Sequence, residues 1–254
     1  MRLFRTTLND MHKYKDYISI IIPGYNEEKR IHSTLKAILQ FCSQHFERHE
    51  IIFVDDGSTD HTWNIVNDIA FDSSLKAIQL PENRGKGHAV KLGMLQASGK
   101  YRFFTDADLP YEPKSFLSSI ELFNAHGCDM VVGARELPES TDKSKPNLNR
   151  KISSYIFSTI VDNLIKTDIK DTQCGFKGFT EDAAKKIFSK STIGGYAFDV
   201  EIFLLAKHMN LHIQKVPVTL VRNKHSKIRL SRDVFIMLTD ILRLYERQRR
   251  GKVL

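Results

Sequence analysis

Short apolar runs alternate with amphipathic stretches along the first half of the chain. The runs are rich in β-branched and aromatic residues and lie at 18–22, 51–54, 77–80, 101–105 and 130–133. Because nearly every position in them is apolar, they are typical of strands covered on both faces, as in a mostly parallel sheet. Each run therefore predicts one buried strand.

The stretches between the runs have apolar residues at helical spacing. In the first of them, one face carries Ile31, Leu35, Ile38, Leu39 and Cys42. Asn26 is a candidate N-cap for that helix, and Ser58 and Thr59 are candidates for the next. Gly85 and Gly87 lead into a third amphipathic stretch. The sequence thus predicts a helix after each of the first three strands.

This alternation predicts an α/β fold, with a doubly wound, Rossmann-like sheet over residues 17–135. The pattern of apolar and polar residues changes after Arg135. Residues 137–149 are polar and read as a loop, 150–166 form an amphipathic helix, 213–221 are strand-like, and a last amphipathic helix begins near Ser231. The chain is predicted to be one domain that ends in helices.

Three of the predicted strands end in polar sequence. The three segments are Pro23-Gly24-Tyr25-Asn26-Glu27, Asp55-Asp56-Gly57-Ser58 and Asp106-Ala107-Asp108. The carboxyl ends of parallel strands meet at one edge of a sheet, and open α/β sheets bind ligands beyond that edge. The coincidence of three such ends predicts a ligand site there.

Each segment also has a purely structural alternative. Residues 55–58 could be only a turn and a helix cap, and an isolated Asp-x-Asp triple carries little information. However, Asp106 and Asp108 in extended chain share a face, and with diphosphate oxygens they complete the oxygen shell that Mg²⁺ or Mn²⁺ prefers. Arg84 and Lys86, in the turn Asn-Arg-Gly-Lys-Gly, could add positive charge near phosphates, or the turn could simply begin a helix.

Charge and composition restrict the class of protein. The formal net charge is +8, and the excess is concentrated after Arg222, which suits either solubility or an anionic partner. The three cysteines are widely spaced, which indicates a reducing, cytoplasmic setting rather than a disulfide framework. No run approaches the roughly 18 apolar residues of a membrane-spanning helix, so attachment to a membrane would be peripheral. The basic tail lacks interleaved aromatic residues, and we expect no nucleic-acid partner.

The ordered motifs resemble a known family. IIIPGYNEE, IIFVDDGSTD, PENRGKG, FFTDADLP and VVGAR are similar to the family 2 inverting glycosyltransferases of GT-A fold. DIKDTQCGFKGF, GYAFDVE and the basic NKHSKIRLS segment resemble the polyprenyl-phosphate hexosyltransferases within it, which include dolichyl-phosphate glucosyltransferases and mannosyltransferases. The resemblance spans roughly residues 17–230.

The resemblance implies an inverting transfer of a hexose from a nucleotide sugar to polyprenyl phosphate. UDP-glucose is the favoured donor and GDP-mannose the second. The alternatives are a sugar or protein hydroxyl as acceptor, or a non-catalytic nucleotide-sugar-binding protein. Residues 17–135 would bind the nucleotide sugar and 136–230 the acceptor. Residues 231–254 would form a basic amphipathic helix at the cytoplasmic face of a membrane, with a membrane-protein partner or a second copy possible.

The resemblance also implies roles for individual residues. The nucleotide would be held by Pro23, Tyr25, Glu27, Asp55, Asp56, Lys86 and Asp106. Asp106 and Asp108 would bind Mg²⁺ or Mn²⁺, without a third protein ligand at Pro110. The acceptor phosphate would be held by Arg135, Arg150, Ser154, Arg222 and Lys227. Asp171 and Asp199 are assigned to catalysis, with ion pairing as the structural alternative for them and for Glu201.

Overall fold

The computed structural model describes residues 13–70, 74–142, 174–221 and 232–249. Within these ranges the strands are β1 (Ile18–Gly24), β2 (His49–Asp55), β3 (Leu75–Gln79), β4 (Tyr101–Thr105), β5 (Met130–Ala134), β6 (Thr141–Asp142), β7 (Phe176–Thr180), β8 (Ile213–Pro217) and β9 (Thr219–Leu220). The helices are α1 (Ile31–His45), α2 (Thr62–Ala70), α3 (Lys86–Gln96), α4 (Lys114–His126), α5 (Glu181–Lys190), α6 (Phe198–His208) and α7 (Arg232–Arg249). The helix predicted at 150–166 and the basic loop after Val221 lie outside the described residues.

Seven strands form one sheet in the order β3-β2-β1-β4-β7-β5-β8. The β1 strand is parallel to both β2 and β4, β2 is parallel to β3, and β5 is parallel to β8. The α/β fold predicted from the sequence is therefore confirmed, with the carboxyl ends of β1, β2 and β4 at one edge. One strand departs from it: β7 lies antiparallel between β4 and β5.

Helices cover the sheet on both faces, as its apolar strands require. On one face Ile20, Ile22 and Phe103 pack with α1 and α4. On the other face Ile21 and Phe104 pack with α3, α5 and α6. All of these side chains are fully buried, so strand residues point alternately into two separate core layers. The sheet is a rigid platform for the loops at its carboxyl edge.

Two predicted helix caps are wrong. The α1 helix begins at Ile31 with Arg30 at the N-cap position, whereas Asn26 has a left-handed backbone with φ of 56°. The α2 helix begins at Thr62, so neither Ser58 nor Thr59 directly precedes its first residue. In both cases the side chain that looked like a cap bonds the neighbouring loop instead. The prediction that Gly85 leads into a helix is confirmed, since α3 begins at Lys86.

The strand predicted at 213–221 is two strands. Pro217 ends β8, which pairs with β5, and β9 then pairs with β6 in a separate small sheet. Proline has no N–H for a ladder bond, which explains the break. The fold also contains β7, α5 and α6, which the sequence did not predict as elements, and β6, which lies within the segment predicted to be a loop at 137–149.

The last helix is confirmed, and α7 packs against α6. Met237, Ile241 and Leu244 of α7 are buried in a cluster that includes Val200 and Leu204 of α6. Leu242 and Tyr245 of α7 are exposed. Within the described residues, no helix is long and apolar enough to span a membrane.

Candidate active site

The loops after β1 and β2 are joined by hydrogen bonds at the carboxyl edge of the sheet. Asn26 accepts a bond from the Thr59 N–H at 2.8 Å and donates its own N–H to Ser58 Oγ at 2.8 Å. The Glu27 N–H donates to Thr62 Oγ1 at 2.6 Å. These short polar side chains join two loops that are far apart in sequence, which is why they do not act as caps.

Asp55 and Asp56 are buried at the end of β2, and both carboxylates accept hydrogen bonds. Asp55 accepts bonds from the N–H and the hydroxyl of Ser58. The two oxygens of Asp56 accept the N–H groups of Arg84 and Gly85 at 2.8 and 2.9 Å. Burial raises the pKa of Asp56, and the two N–H bonds oppose that rise. Asp56 therefore fixes the glycine turn that begins α3.

That turn brings Lys86 to the end of β4. Its Nζ lies 2.5 Å from Asp106 Oδ1, and both side chains are partly exposed. Burial alone would lower the pKa of Lys86, but the charges of Asp106 and Asp199 outweigh it and raise the pKa. Lys86 therefore places a positive charge beside Asp106 at the carboxyl edge of the sheet.

Asp108 faces a second cation. Its Oδ2 lies 3.9 Å from Arg30 Nη1, and Arg30 Nε in turn lies 2.7 Å from Glu27 Oε2. Burial and the charge of Asp106 raise the pKa of Asp108, and Arg30 opposes the rise. Between the two aspartates, the Ala107 carbonyl accepts a 2.7 Å bond from the buried Thr34 hydroxyl. The acidic pair is thus held by its backbone as well as by its charges.

A divalent cation fits this pair. The side chains of Asp106 and Asp108 are each 32% exposed, so both present carboxylate oxygens to the opening. Among the described residues there is no cluster of three or more His, Cys, Asp or Glu that could hold a metal alone. Mg²⁺ is commonly bound by one or two carboxylates plus substrate phosphates. The two aspartates would supply the carboxylates. Pro110 is buried and offers no side-chain ligand.

The chain entering β7 lies directly behind Asp106. Thr105 pairs with Phe176 in the antiparallel register, which places Gly175 beside Asp106. A Cβ atom on Gly175 would overlap Asp106 Oδ2. A side chain at position 175 would therefore force Asp106 or the strand to shift, because of the close approach to a carboxylate and not because of the backbone angles of Gly175.

Asp199, predicted to be catalytic, forms a buried ion pair. Its Oδ1 accepts a 2.6 Å bond from Lys177 Nζ, and Lys177 is completely buried in β7. Glu201 is also buried and accepts the N–H groups of Thr192 and Ile193. The ion-pairing alternative thus describes Asp199, while Glu201 instead bonds a loop. Lys177 was missed, although a single lysine between apolar residues of FKGF is a signal for a buried cation.

The other predicted residues are placed as follows. Pro23 is buried in β1, and Tyr25 is exposed at its end. Arg135 is exposed just after β5, which lies two strands from β4. Strands are spaced about 4.8 Å apart, so Arg135 belongs to the same edge at about 10 Å from Asp106 along the sheet. Arg150, Ser154, Asp171, Arg222 and Lys227 lie outside the described residues, and their roles stay predictions.

Comparison with known proteins identifies the family. The family model described as "Glycosyl transferase family 2" matches residues 19–188. The chain belongs to this family and is a glycosyltransferase. The fold agrees, since glucosyl-3-phosphoglycerate synthase from Mycobacterium tuberculosis, solved with Mn²⁺, uridine diphosphate and glucosyl-3-phosphoglycerate, superposes with a TM-score of 0.66. That match covers 89% of this chain and 79% of the other, at 18% identity.

Two relatives carry the same name, which describes one activity within the family. The dolichyl-phosphate beta-glucosyltransferase of Dictyostelium discoideum is 36% identical over 90% of this chain and 73% of its own length. The enzyme of the same name from Saccharomyces cerevisiae is 32% identical over 92% of this chain and 77% of its own length. The predicted resemblance is therefore confirmed.

Proposed function

We propose that this protein transfers glucose from UDP-glucose to dolichyl phosphate or a related polyprenyl phosphate, with inversion at the anomeric carbon. The observation that carries the proposal is the paired charge at the carboxyl edge, where Asp106 and Asp108 meet Lys86 and Arg30. The relatives named dolichyl-phosphate beta-glucosyltransferase support the choice of sugar and acceptor. Residues 17–135 supply the nucleotide-sugar half of the site, and 136–230 the acceptor half.

The donor half works by charge and position. Lys86 carries a fixed positive charge beside Asp106, where it can pair with the diphosphate, and Arg30 stands across the opening. Tyr25 offers an exposed ring to the nucleoside. Asp106 and Asp108 would hold Mg²⁺ or Mn²⁺, and such an ion would offset negative charge on the leaving diphosphate. The neighbour solved with Mn²⁺ and uridine diphosphate supports this choice of ion.

The acceptor needs orientation more than proton removal. A phosphomonoester has a second pKa of about 6, so at neutral pH it already carries a nucleophilic oxyanion. Guanidinium groups bind phosphate bidentately, and Arg135 at the edge of the sheet suits this task. Asp199, which would be the base for a hydroxyl acceptor, is instead bonded to Lys177. This pairing supports a phosphate acceptor over a hydroxyl.

The direct test uses labelled donors. The protein is incubated with UDP-glucose, UDP-galactose or GDP-mannose, with polyprenyl phosphate and Mg²⁺ or Mn²⁺, and label is followed into the organic phase. We expect transfer from UDP-glucose and its loss when EDTA is added. Transfer from GDP-mannose but not from UDP-glucose would show that GDP-mannose is the donor. Tight UDP-glucose binding without any transfer to phosphate or hydroxyl acceptors would support a non-catalytic sensor.

The acceptor class is tested by substitution of Arg135. We expect Arg135→Ala to raise the KM for polyprenyl phosphate by at least about 10-fold, as expected for loss of a hydrogen-bonded charge, with the KM for UDP-glucose nearly unchanged. Arg48→Ala is the matched control, since Arg48 is exposed just before β2, at the opposite edge of the sheet from Arg135, and lies over the Tyr17 ring. An unchanged acceptor KM in Arg135→Ala would count against this contact.

A further inference from the structure

We propose that Lys177 is a positioning residue for Asp106. It acts through the chain segment Cys174–Gly175, which it holds against the Asp106 carboxylate. The inference rests on the proposed function for what Asp106 binds, but the positioning can be measured without turnover.

Lys177 is placed to fix that segment. Its Nζ donates to the Cys174 carbonyl at 2.8 Å and to Asp199 Oδ1 at 2.6 Å. The ammonium group also lies 5.3 Å from the centre of the Phe104 ring and 5.6 Å from that of Phe203. Three kinds of contact therefore hold one completely buried ammonium group in place.

Stability alone does not account for a buried lysine in this strand. Taking two charges out of water costs several kcal/mol for each ion, and well-packed apolar residues of similar volume usually give equal or greater stability. Lys177 sits among Phe104 and Phe203, where a methionine would pack well. What a methionine would lack is the bond to the Cys174 carbonyl.

The bond from Lys177 to the Cys174 carbonyl determines where the backbone of Gly175 lies relative to Asp106. Cys174 precedes Gly175, and Gly175 packs so closely on Asp106 Oδ2 that a single Cβ would overlap it. On its other oxygen Asp106 meets Lys86 at 2.5 Å. The carboxylate is thus held between Lys86 and the Gly175 backbone. If the Cys174 carbonyl is released, the Gly175 side of this arrangement can move.

Asp199 is the counter-ion that balances the charge of the buried Lys177. It pairs with Lys177 directly at 2.6 Å, and both side chains are buried. The lysine that bonds the Cys174 carbonyl therefore depends on this one buried carboxylate. This gives Asp199 a role in the site without contact to substrate.

The experiment compares two buried cations. Lys177→Met is matched with Arg102→Met, because Arg102 is also buried on the sheet and also bonds carbonyls, those of Met94 and Gly99, and a carboxylate. Mn²⁺ affinity in the presence of UDP is measured by electron paramagnetic resonance below the melting temperature of both variants. Hydrogen exchange of the metal-free proteins is followed over 174–176.

We expect Lys177→Met to weaken Mn²⁺ binding roughly 10-fold, the usual effect of removing a group that orients a metal ligand. Exchange over 174–176 should rise in this variant. Arg102→Met should lose stability but keep Mn²⁺ affinity within about 2-fold of wild type. Equal Mn²⁺ affinity in wild type and Lys177→Met would overturn the proposal.

A double variant covers the case in which Lys177→Met fails to fold because Asp199 is left unpaired. Lys177→Met/Asp199→Leu removes both charges and should recover the melting temperature but not the Mn²⁺ affinity. Recovery of both the melting temperature and the Mn²⁺ affinity would mean that Lys177 and Asp199 contribute only to stability. Wild-type protein that binds Mn²⁺ and UDP but transfers no glucose would refute the proposed function while this comparison still decides the role of Lys177.

Discussion

At the scale of single residues, three acidic groups in and behind the site are each matched by a cation. Asp106 meets Lys86, Asp108 faces Arg30, and Asp199 pairs with Lys177. A metal ion that binds Asp106 must therefore compete with Lys86. When a diphosphate arrives with the ion, it gives Lys86 a new partner, so donor and metal binding are expected to be coupled.

This coupling predicts opposite effects from one substitution. In Lys86→Met, Mn²⁺ binding without nucleotide should strengthen about 10-fold because a competing charge is removed, a conservative figure for charges in partial contact with water. UDP affinity should weaken at least about 10-fold because the diphosphate loses a charged donor. Isothermal titration calorimetry measures both. Lys100→Met is the control, since Lys100 also pairs with an aspartate, Asp16 at 2.8 Å, but lies just before β4 at the opposite edge of the sheet.

Gly175 gives a second prediction at this scale. In Gly175→Ala the new Cβ overlaps Asp106 Oδ2, so Asp106 must shift or the strand must move away. We expect Mn²⁺ affinity with UDP to fall by roughly 10-fold or more, the effect of disturbing a ligand's orientation. In the control Gly195→Ala the nearest atom to the added Cβ is Asp240 Oδ2 at 3.7 Å. Similar metal affinities in the two variants would refute the close-approach argument.

At the scale of elements, the segment 191–196 joins α5 to α6 and supports the glycine turn of α3. The Gly194 carbonyl accepts the His88 N–H at 3.2 Å, and a Cβ on Gly87 would lie 2.5 Å from the Ile193 carbonyl oxygen. Glu201 of α6 in turn accepts the Thr192 hydroxyl at 2.7 Å and the Ile193 N–H at 2.9 Å. A buried carboxylate thus holds the segment on which Lys86 depends.

Substitution of Glu201 should therefore lower both stability and donor binding. In Glu201→Ala the N–H groups of Thr192 and Ile193 lose their acceptor in a partly buried setting, and a buried group left unpaired costs about 1–3 kcal/mol. Urea denaturation should show a loss of at least about 1 kcal/mol in the free energy of unfolding, and the UDP-glucose KM should rise at temperatures where the variant is folded. Glu121→Ala, on the exposed side of α4, removes a bond from Tyr14 and should change neither by much.

The elements also show what the sequence could predict. The strands β1, β2, β4 and β5 were predicted because both of their faces are largely buried, which makes their apolar runs continuous. The β7 strand was not, because Lys177 and Gly178 interrupt its apolar pattern. Lys177 finds its partner 22 residues away, and Gly175 meets Asp106 across a strand pairing that no local pattern encodes. Thr180, Glu181 and Asp182 were an overlooked helix start, since Thr180 accepts the Ala183 N–H.

The same distinction holds within the site. Asp106, Asp108 and Lys86 could be predicted because strand ends and a glycine turn are visible in the sequence. Arg30 and Thr34 could not, because they lie on α1 and reach Asp108 and the Ala107 carbonyl only through tertiary packing. Asp55 and Asp56 are predicted to bind the nucleotide, and in the structure both bond the protein's own loops.

At the scale of the whole molecule, the net charge of +8 and the last helix bear on where the enzyme works. A lipid-phosphate acceptor has to be reached at a membrane surface. The α7 helix buries Met237, Ile241 and Leu244 against the body of the protein, so this part of its apolar surface is not available to lipid. Leu242 and Tyr245 stay exposed beside Arg243. We propose peripheral attachment by charge, with these two side chains as a small apolar contact.

Flotation with phosphatidylserine-rich vesicles tests this attachment. Binding should be strong at about 0.01 M salt, where the Debye length is about 30 Å, and lost at about 1 M, where it is about 3 Å. Leu242→Ser should weaken binding roughly 10-fold at low salt, because burying one leucine contributes about 1.5–3 kcal/mol. Leu95→Ser is the control, since Leu95 is a 40% exposed leucine on α3. Equal loss in both variants would show that α7 makes no special contact, and salt-insensitive binding would contradict attachment by charge.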